Sequence, residues 1–299
     1  MAYRFVADST VEANVQRVFS EQLGKAVEQL SENFQKQPEQ AVHNARKCLK
    51  KSRSLLRLVR KSIDKSIYQQ ESQRLRDVGR SLAPARDSAV YPATLSTLLD
   101  TYGLTLDVNS FSTLKTGLVD LYNVQLDNLS DREQFIAAVM TDLEASQTNL
   151  SQVALKQTGW KAVAKNLRHI YSQGQQNFDQ AYNDGDDDDF HNWRKRVKDL
   201  WYCTCLLQSL WPPIMKAFES ELHELADLLG DDHDIAALRQ FLTHHAKEVG
   251  VKDVHMQVLV PLMGHRQTKL HRRAKTLGQK LYGETPKAFS DRMASYWHA

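Results

Sequence analysis

Apolar residues recur at three- and four-residue spacing through most of the chain, with no sustained apolar/polar alternation of the kind strands need. Val11, Val15, Val18, Leu23, Val27 and Leu30 form one stripe. It predicts a helix from a cap at Ser9 or Thr10 to about Phe34, with Arg17 and Lys25 on the polar side. Pro38 separates it from a second helix, from Glu39 or Gln40 to Lys61, whose apolar side carries Ala45, Cys48, Leu49, Leu55, Leu56 and Val59. A third helix is predicted from Gln69 to Leu82, ending before Pro84. Further helices follow over residues 92–130, with turns near Gly103 and Asn109, and one from Asp131 to about Gln157 closes the first half.

The second half begins with a predicted helix from Trp160 to Tyr182 that carries Lys161, Lys165, Arg168 and His169. The acidic run Asn183–Asp189 reads as a solvated linker whose last acids favour the positive end of the next helix. It does not fit a calcium loop, because neither its glycine nor a closing Glu falls where one is needed. Phe190–Leu210 follows as a helix with Trp193, Val197, Leu200, Cys203 and Leu207 inward, stopped by Pro212 and Pro213. Ile214–Leu229 reads as a helix ending at Gly230, and Pro261–Leu281 as the last long helix. Residues from Gly283 read as a terminal tail. These expectations make an all-α protein.

The polar sides are not ordinary. Residues 41–61 hold eight Lys or Arg, one His and no acid, and His43, Arg46, Lys47, Lys50 and Arg57 share one helical face with Ser54. Like charges one turn apart repel, so stability alone does not choose such a face. The spacing H-x-x-R-K-x-x-K returns 148 positions later as His191, Arg194, Lys195 and Lys198. Leu82, Arg86 and Asp87 likewise match Leu229, His233 and Asp234 at an offset of 147. Two separated blocks at nearly one offset indicate an internal duplication. A third basic stripe, Arg266, Lys269 and Arg273, lies on the last long helix.

Composition adds bounds. The 299 residues suffice for a sizeable core, and 12 Gly and 7 Pro leave few tight turns. The net charge of +3 is modest, so the distribution of charge carries the signal, not its total. Cys48, Cys203 and Cys205 lie in helical stretches and read as buried, reduced thiols of a cytoplasmic protein. No membrane-length apolar run and no leader-like segment is evident.

The two ladders suit phosphate: Arg binds two oxygens in a fork, Lys acts as a point charge, and His titrates beside an anion. Facing each other, they would line a groove for a linear polyanion, with binding that tightens as pH falls through the histidine range. Asp87 and Asp234 read as helix caps or as carboxylates that orient a cation. His223, Asp227, His233 and Asp234 offer an alternative, a metal-dependent phosphohydrolase. The first copy argues against it by placing Arg86 where a ligand histidine would be required, and the helix at His223 lacks the second His of a zinc motif. Neither a nucleotide-cradling glycine loop nor a nucleophile with its base is found.

The duplicated His-x-x-Arg-Lys-x-x-Lys helices, with Arg86-Asp87 and Asp231–Asp234 after them, resemble the CHAD family (conserved histidine α-helical domain) over residues 9–281. The resemblance implies a single domain over residues 1–299, built as two pseudo-symmetric helical bundles (9–157 and 158–282) around a basic central cavity. It implies inorganic polyphosphate as the ligand, association of some members with polyphosphate granules, and no cofactor. Carried over by motif position, the binding residues are His43, Arg46, Lys47, Lys50, Arg53, Arg57, His191, Arg194, Lys195 and Lys198. Arg17, Lys25, Lys165 and Arg168 on the preceding helices are secondary candidates. Trp201 and Cys205 stand opposite Arg53 and Arg57, so the second ladder is shorter. The Glu-x-Glu-x-Lys signature of the triphosphate-tunnel domain often fused to this family is absent. The expectation is a non-catalytic, cytoplasmic polyphosphate-binding module, with a nucleic-acid or other polyanion binder as the alternative.

Overall fold

The computed structural model of the chain describes the backbone of residues 3–82, 84–103, 107–130 and 133–299, and the side chains of these except 84–89 and 126–130. Among them lie eleven α-helices and no strand. In the first half these are α1 (Val11–Glu28), α2 (Pro38–Leu58), α3 (Lys65–Ser81), α4 (Pro84–Tyr102), α5 (Ser112–Ser130) and α6 (Glu133–Ser151). The second half comprises α7 (Lys161–Asn183), α8 (Asp187–Leu206), α9 (Pro212–His245), α10 (Asp253–Leu281) and α11 (Pro286–His298). A π-helical stretch, Gln29–Asn33, continues α1.

Local chemistry sets many of the ends. Thr10 accepts the Ala13 N–H at 3.1 Å at the start of α1, and Asp64 does the same for Ser66 at 2.7 Å ahead of α3. Pro38 and Pro212 sit in first turns, where the missing N–H costs nothing. The acidic run turns out to be less linker than helix start. Asp186 caps α8 by accepting the N–H groups of Asp188 and Asp189, and the carboxylate of Asp189 reaches back to complete a capping box.

α1 lies against α2 and α6, and α4 against α5; α7 lies against α8 and α11, and α9 against both α8 and α10. Between the halves, α2 touches α7 and α8, and α4 touches α9. One continuous apolar core joins them, with Phe19, Leu23, Leu49 and Leu55 from the first half and Tyr171, Trp193 and Phe289 from the second fully buried. Glycine lets the second bundle close tightly. A Cβ at Gly278 would come within 2.8 Å of Phe178 and 2.9 Å of Trp193, and one at Gly174 within 2.5 Å of the Tyr282 ring.

Several boundaries differ from expectation. α9 runs straight through Gly230, because Leu225, Leu229, Asp232, Ile235 and Leu238 continue one buried stripe across it. Burial along that stripe outweighs the roughly 1 kcal/mol that a mid-helix glycine costs. Asp234 therefore sits inside α9 and does not cap that helix. α10 begins at Asp253, eight residues before the expected start at Pro261, with buried Leu259 and Met263 flanking the proline. α8 stops at Leu206 and gives way to a 3-10 turn, and α3 starts at Lys65. The segment after Gly283 is no loose tail. Thr285 caps α11, which buries Phe289 and Met293 and stacks Phe289 on Tyr171 at 4.1 Å. The side chains of Arg86 and Asp87 lie outside the described residues.

Candidate functional site

α2, α8 and α9 bring most of the motif cations into one electrostatic neighbourhood. Lys50 of α2 acts on His191 of α8, and Lys47 acts on Lys198. Arg194 and Lys195 press on both His191 and His233, and the His233 ring of α9 stacks on His191 with centroids 4.1 Å apart and planes at 25°. The Nδ1 of His191 is buried and makes no hydrogen bond among the described residues.

Burial and neighbouring cations work against charge on these groups. Burial, then Lys195 and Arg194, push the His191 imidazole down to about 4, with Asp188 in opposition. Burial, His191 and Arg194 push His233 down to about 3. Lys198 falls to about 8 through burial, Arg194 and Lys47, against the support of Asp227 and Asp234. A site that disfavours its own cations gains most from an anion that restores them.

Not every candidate belongs to this cluster. Arg46 donates from Nη1 to the Gly79 carbonyl of α3, which ties it to the first bundle. Arg53 is pushed down to about 10 by burial and by Arg57, Arg76 and Arg196. Arg57 pairs with buried Asp199 of α8 at 2.8 Å; Ser54 donates to the same carboxylate at 3.2 Å, and Arg196 lies 3.2 Å from it. The far end of the α2 ladder is thus clamped to α8 by a carboxylate. Arg17 is spent within the N-terminal region, on Glu21 at 3.0 Å and on the Arg4 carbonyl and Asn14. Exposed Lys25 lies in the field of Lys51 and Cys48. Lys165 and Arg168 are exposed on α7, and no described contact joins them to the cluster. His43 is half-buried on α2.

The chain also supplies residues the motif does not contain. Lys51, Arg76 and Arg196 add positive charge around the ladders, and Asp199 takes it away. An acid within the basic and apolar stretch that follows the first turn of α8 was the available signal for Asp199. His233 was visible as a His-Asp dipeptide, but its ring contact across helices was not.

Two other readings lose their geometry. His223 stacks on Trp201 at 4.3 Å and pairs with Asp227 at 3.5 Å, both exposed, whereas His233 faces His191. Among the described residues no group of three or more His, Cys, Asp or Glu side chains converges as metal ligands, so the proposed phosphohydrolase set is not assembled. The third basic stripe is largely answered by α9 acids: Arg273 meets Glu224 at 3.2 Å and Arg266 approaches Asp231 at 3.9 Å. Cys48, Cys203 and Cys205 are free thiols that burial pushes up. Among the described residues no helix is long and apolar enough to cross a membrane.

A model of the CHAD domain matches residues 17–243, well over half of the chain. The chain belongs to the CHAD family. PptA from Streptomyces chartreusis superposes with a TM-score of 0.65 at 12% identity, covering 92% of this chain and 100% of that one. The CHAD domain from the plant Ricinus communis gives a TM-score of 0.64 at 16% identity, covering 100% of this chain and 95% of its own. At these identities the likeness concerns the fold. No curated protein matches the sequence significantly.

Proposed function

We propose that this CHAD protein binds inorganic polyphosphate along the facing cationic sides of α2 and α8, as a binding module and not as an enzyme. One observation carries the reading. Lys47 and Lys50 from one copy of the motif share a field with His191, Arg194, Lys195 and Lys198 from the other, with His233 added by α9. Two ladders set side by side suit a repeating anion better than one compact phosphate ester. Exposed Lys47, Lys50 and Lys195 would meet the phosphates first, and the half-buried His191, Arg194 and Lys198 would grip them. A protein that binds in this way would collect on cytoplasmic polyphosphate granules.

The test is charge reversal at exposed positions, since Arg46 and Lys198 are built into the packing. Lys47→Glu, Lys50→Glu and Lys195→Glu together should lower polyphosphate affinity at least ~100-fold and flatten its salt dependence, because fewer counterions are released. The helical circular dichroism should be unchanged. Retained affinity in a folded triple variant contradicts the reading.

A further inference from the structure

The His191–His233 stack is backed by one residue of α10. Neighbours on a helix point about 100° apart, and Phe190 and Asp232, each one position before a site histidine, are buried. Both meet His271. The Phe190 ring lies flat on the imidazole, with centroids 3.7 Å apart and planes at 2°. The Nε2–H of His271 donates to Asp232 Oδ1 at 2.7 Å. Gln267, one turn earlier on α10, extends the contact. Its amide nitrogen donates to Asp232 at 3.0 Å and to Asp187, in the first turn of α8, at 3.2 Å. Its amide oxygen accepts from Arg239 of α9 at 2.8 Å, and Arg239 also pairs with Asp187. The Tyr182 hydroxyl of α7 donates to the His271 carbonyl at 2.7 Å, which ties a fourth helix to the same turn. Asp232 and Gln267 are 2% and 5% exposed. Hydrogen bonds this deep fix direction as well as distance, because no bulk water replaces one that is misaligned. Apolar contact between α8 and α9 resists separation but is non-directional. The polar network supplies the direction.

We infer that His271 is a positioning residue for the polyphosphate site: through Phe190 and Asp232 it sets the rotation of α8 and α9 about their own axes, and so aims His191 and His233. His191, Arg194 and Lys198 share one face of α8, so a turn of that helix moves all three together. A turn of α9 moves His233 relative to them. His271 suits both tasks, since its flat ring matches Phe190 and its N–H answers a buried carboxylate. The inference rests on the polyphosphate reading for its ligand alone, because the register of the two histidines is a property of the free protein.

The experiment uses the full chain carrying isotope-labelled histidine. Ring resonances of His191 and His233 are assigned with His191→Asn and His233→Gln, and affinity for long-chain polyphosphate is measured by calorimetry at one ionic strength. His271→Phe keeps a flat ring against Phe190 and removes the donor, and Asp232→Asn keeps the shape and removes the charge. Glu71→Gln is the control for lost stability: Glu71 is a buried carboxylate of α3 held by Arg74, Ser146 and Asn149 in the first bundle. Both His271→Phe and Asp232→Asn should shift the two histidine resonances together and weaken polyphosphate binding about tenfold, the scale on which groups behind a binding shell act. Glu71→Gln should move neither resonance and keep affinity within about twofold, as expected of a site that shares no partner with the network. Should His271→Phe fail to fold, Asp232→Asn, which changes almost no volume, carries the test. Resonances that stay in place in a folded variant overturn the inference. Shifted resonances with unchanged affinity also overturn it, as does a control that weakens binding equally. If the natural protein binds no polyphosphate, that reading falls, and the resonances alone decide whether His271 sets the register.

Discussion

Lys198 is a lysine whose charge the fold resists, and that makes the site sensitive to pH in a definite direction. Its ammonium titrates at about 8 in the free protein, and phosphate oxygens beside it would draw the proton back. Affinity should therefore fall as pH rises through 8, and binding at pH 8 should take up protons. Calorimetry in two buffers of different ionisation enthalpy reads that uptake directly; zero uptake contradicts the placement of phosphate at Lys198. The histidines act lower than the sequence suggested. With His191 at about 4 and His233 at about 3, their charged forms appear in the free protein only well below the ordinary histidine range. The unfolded chain binds those protons near 6.5, so the ligand-free fold should lose stability as pH falls from 6.5 towards 4. His191→Asn with His233→Gln should flatten that decline in melting temperature, and polyphosphate should offset it in the natural protein. Asp199 gives a third residue-scale prediction. Asp199→Ala leaves Arg57 and Arg196 facing each other and should cost about 3 kcal/mol in denaturant melts. The same change should tighten polyphosphate binding, since it removes the acid that answers the α2 ladder.

At the scale of elements, most helices were legible because their stripes are long and regular, as in α1, α2 and α7. Their ends were less so. A glycine after an apolar run looks like a stop, yet Gly230 lies within α9 because residues far away in sequence bury both sides of it. The same tertiary burial carries α10 across Pro261. These errors have a consequence for the site, since a helix ending at Gly230 would leave Asp234 as a cap and His233 pointing nowhere in particular. Gly230→Ala distinguishes the two arrangements. In a continuous helix its Cβ would lie 3.7 Å from the Arg194 guanidinium, an ordinary contact, and the protein should gain about 0.5–1 kcal/mol. A loss of stability would mean that the backbone there is not helical. Gly278→Val makes the opposite test of close packing: it should cost about 1–3 kcal/mol, because a side chain there meets Phe178 and Trp193.

At the scale of the whole molecule, the repeated H-x-x-R-K-x-x-K pattern pointed to the CHAD family, and the match over residues 17–243 bears that out. What the pattern could not disclose was how the two copies meet. Arg46 and Arg57 of the motif, and Arg17 on the preceding helix, each have a partner within the fold, whereas His233 joins from a helix outside the motif. Spacing along one helix reports which side chains share a face; which of them meet across helices depends on crossing geometry, and that is a tertiary property. The net charge of +3 hid the feature for the same reason, because acids elsewhere on the surface cancel a field that is locally strong. The measurement that bears most directly on the account is a titration of the natural protein with long-chain polyphosphate at near-physiological salt, with excess RNA as competitor and phosphate release followed in the same tubes. The account predicts saturable binding that RNA does not displace, with no phosphate released. Binding that RNA displaces, or steady release of phosphate, would contradict it.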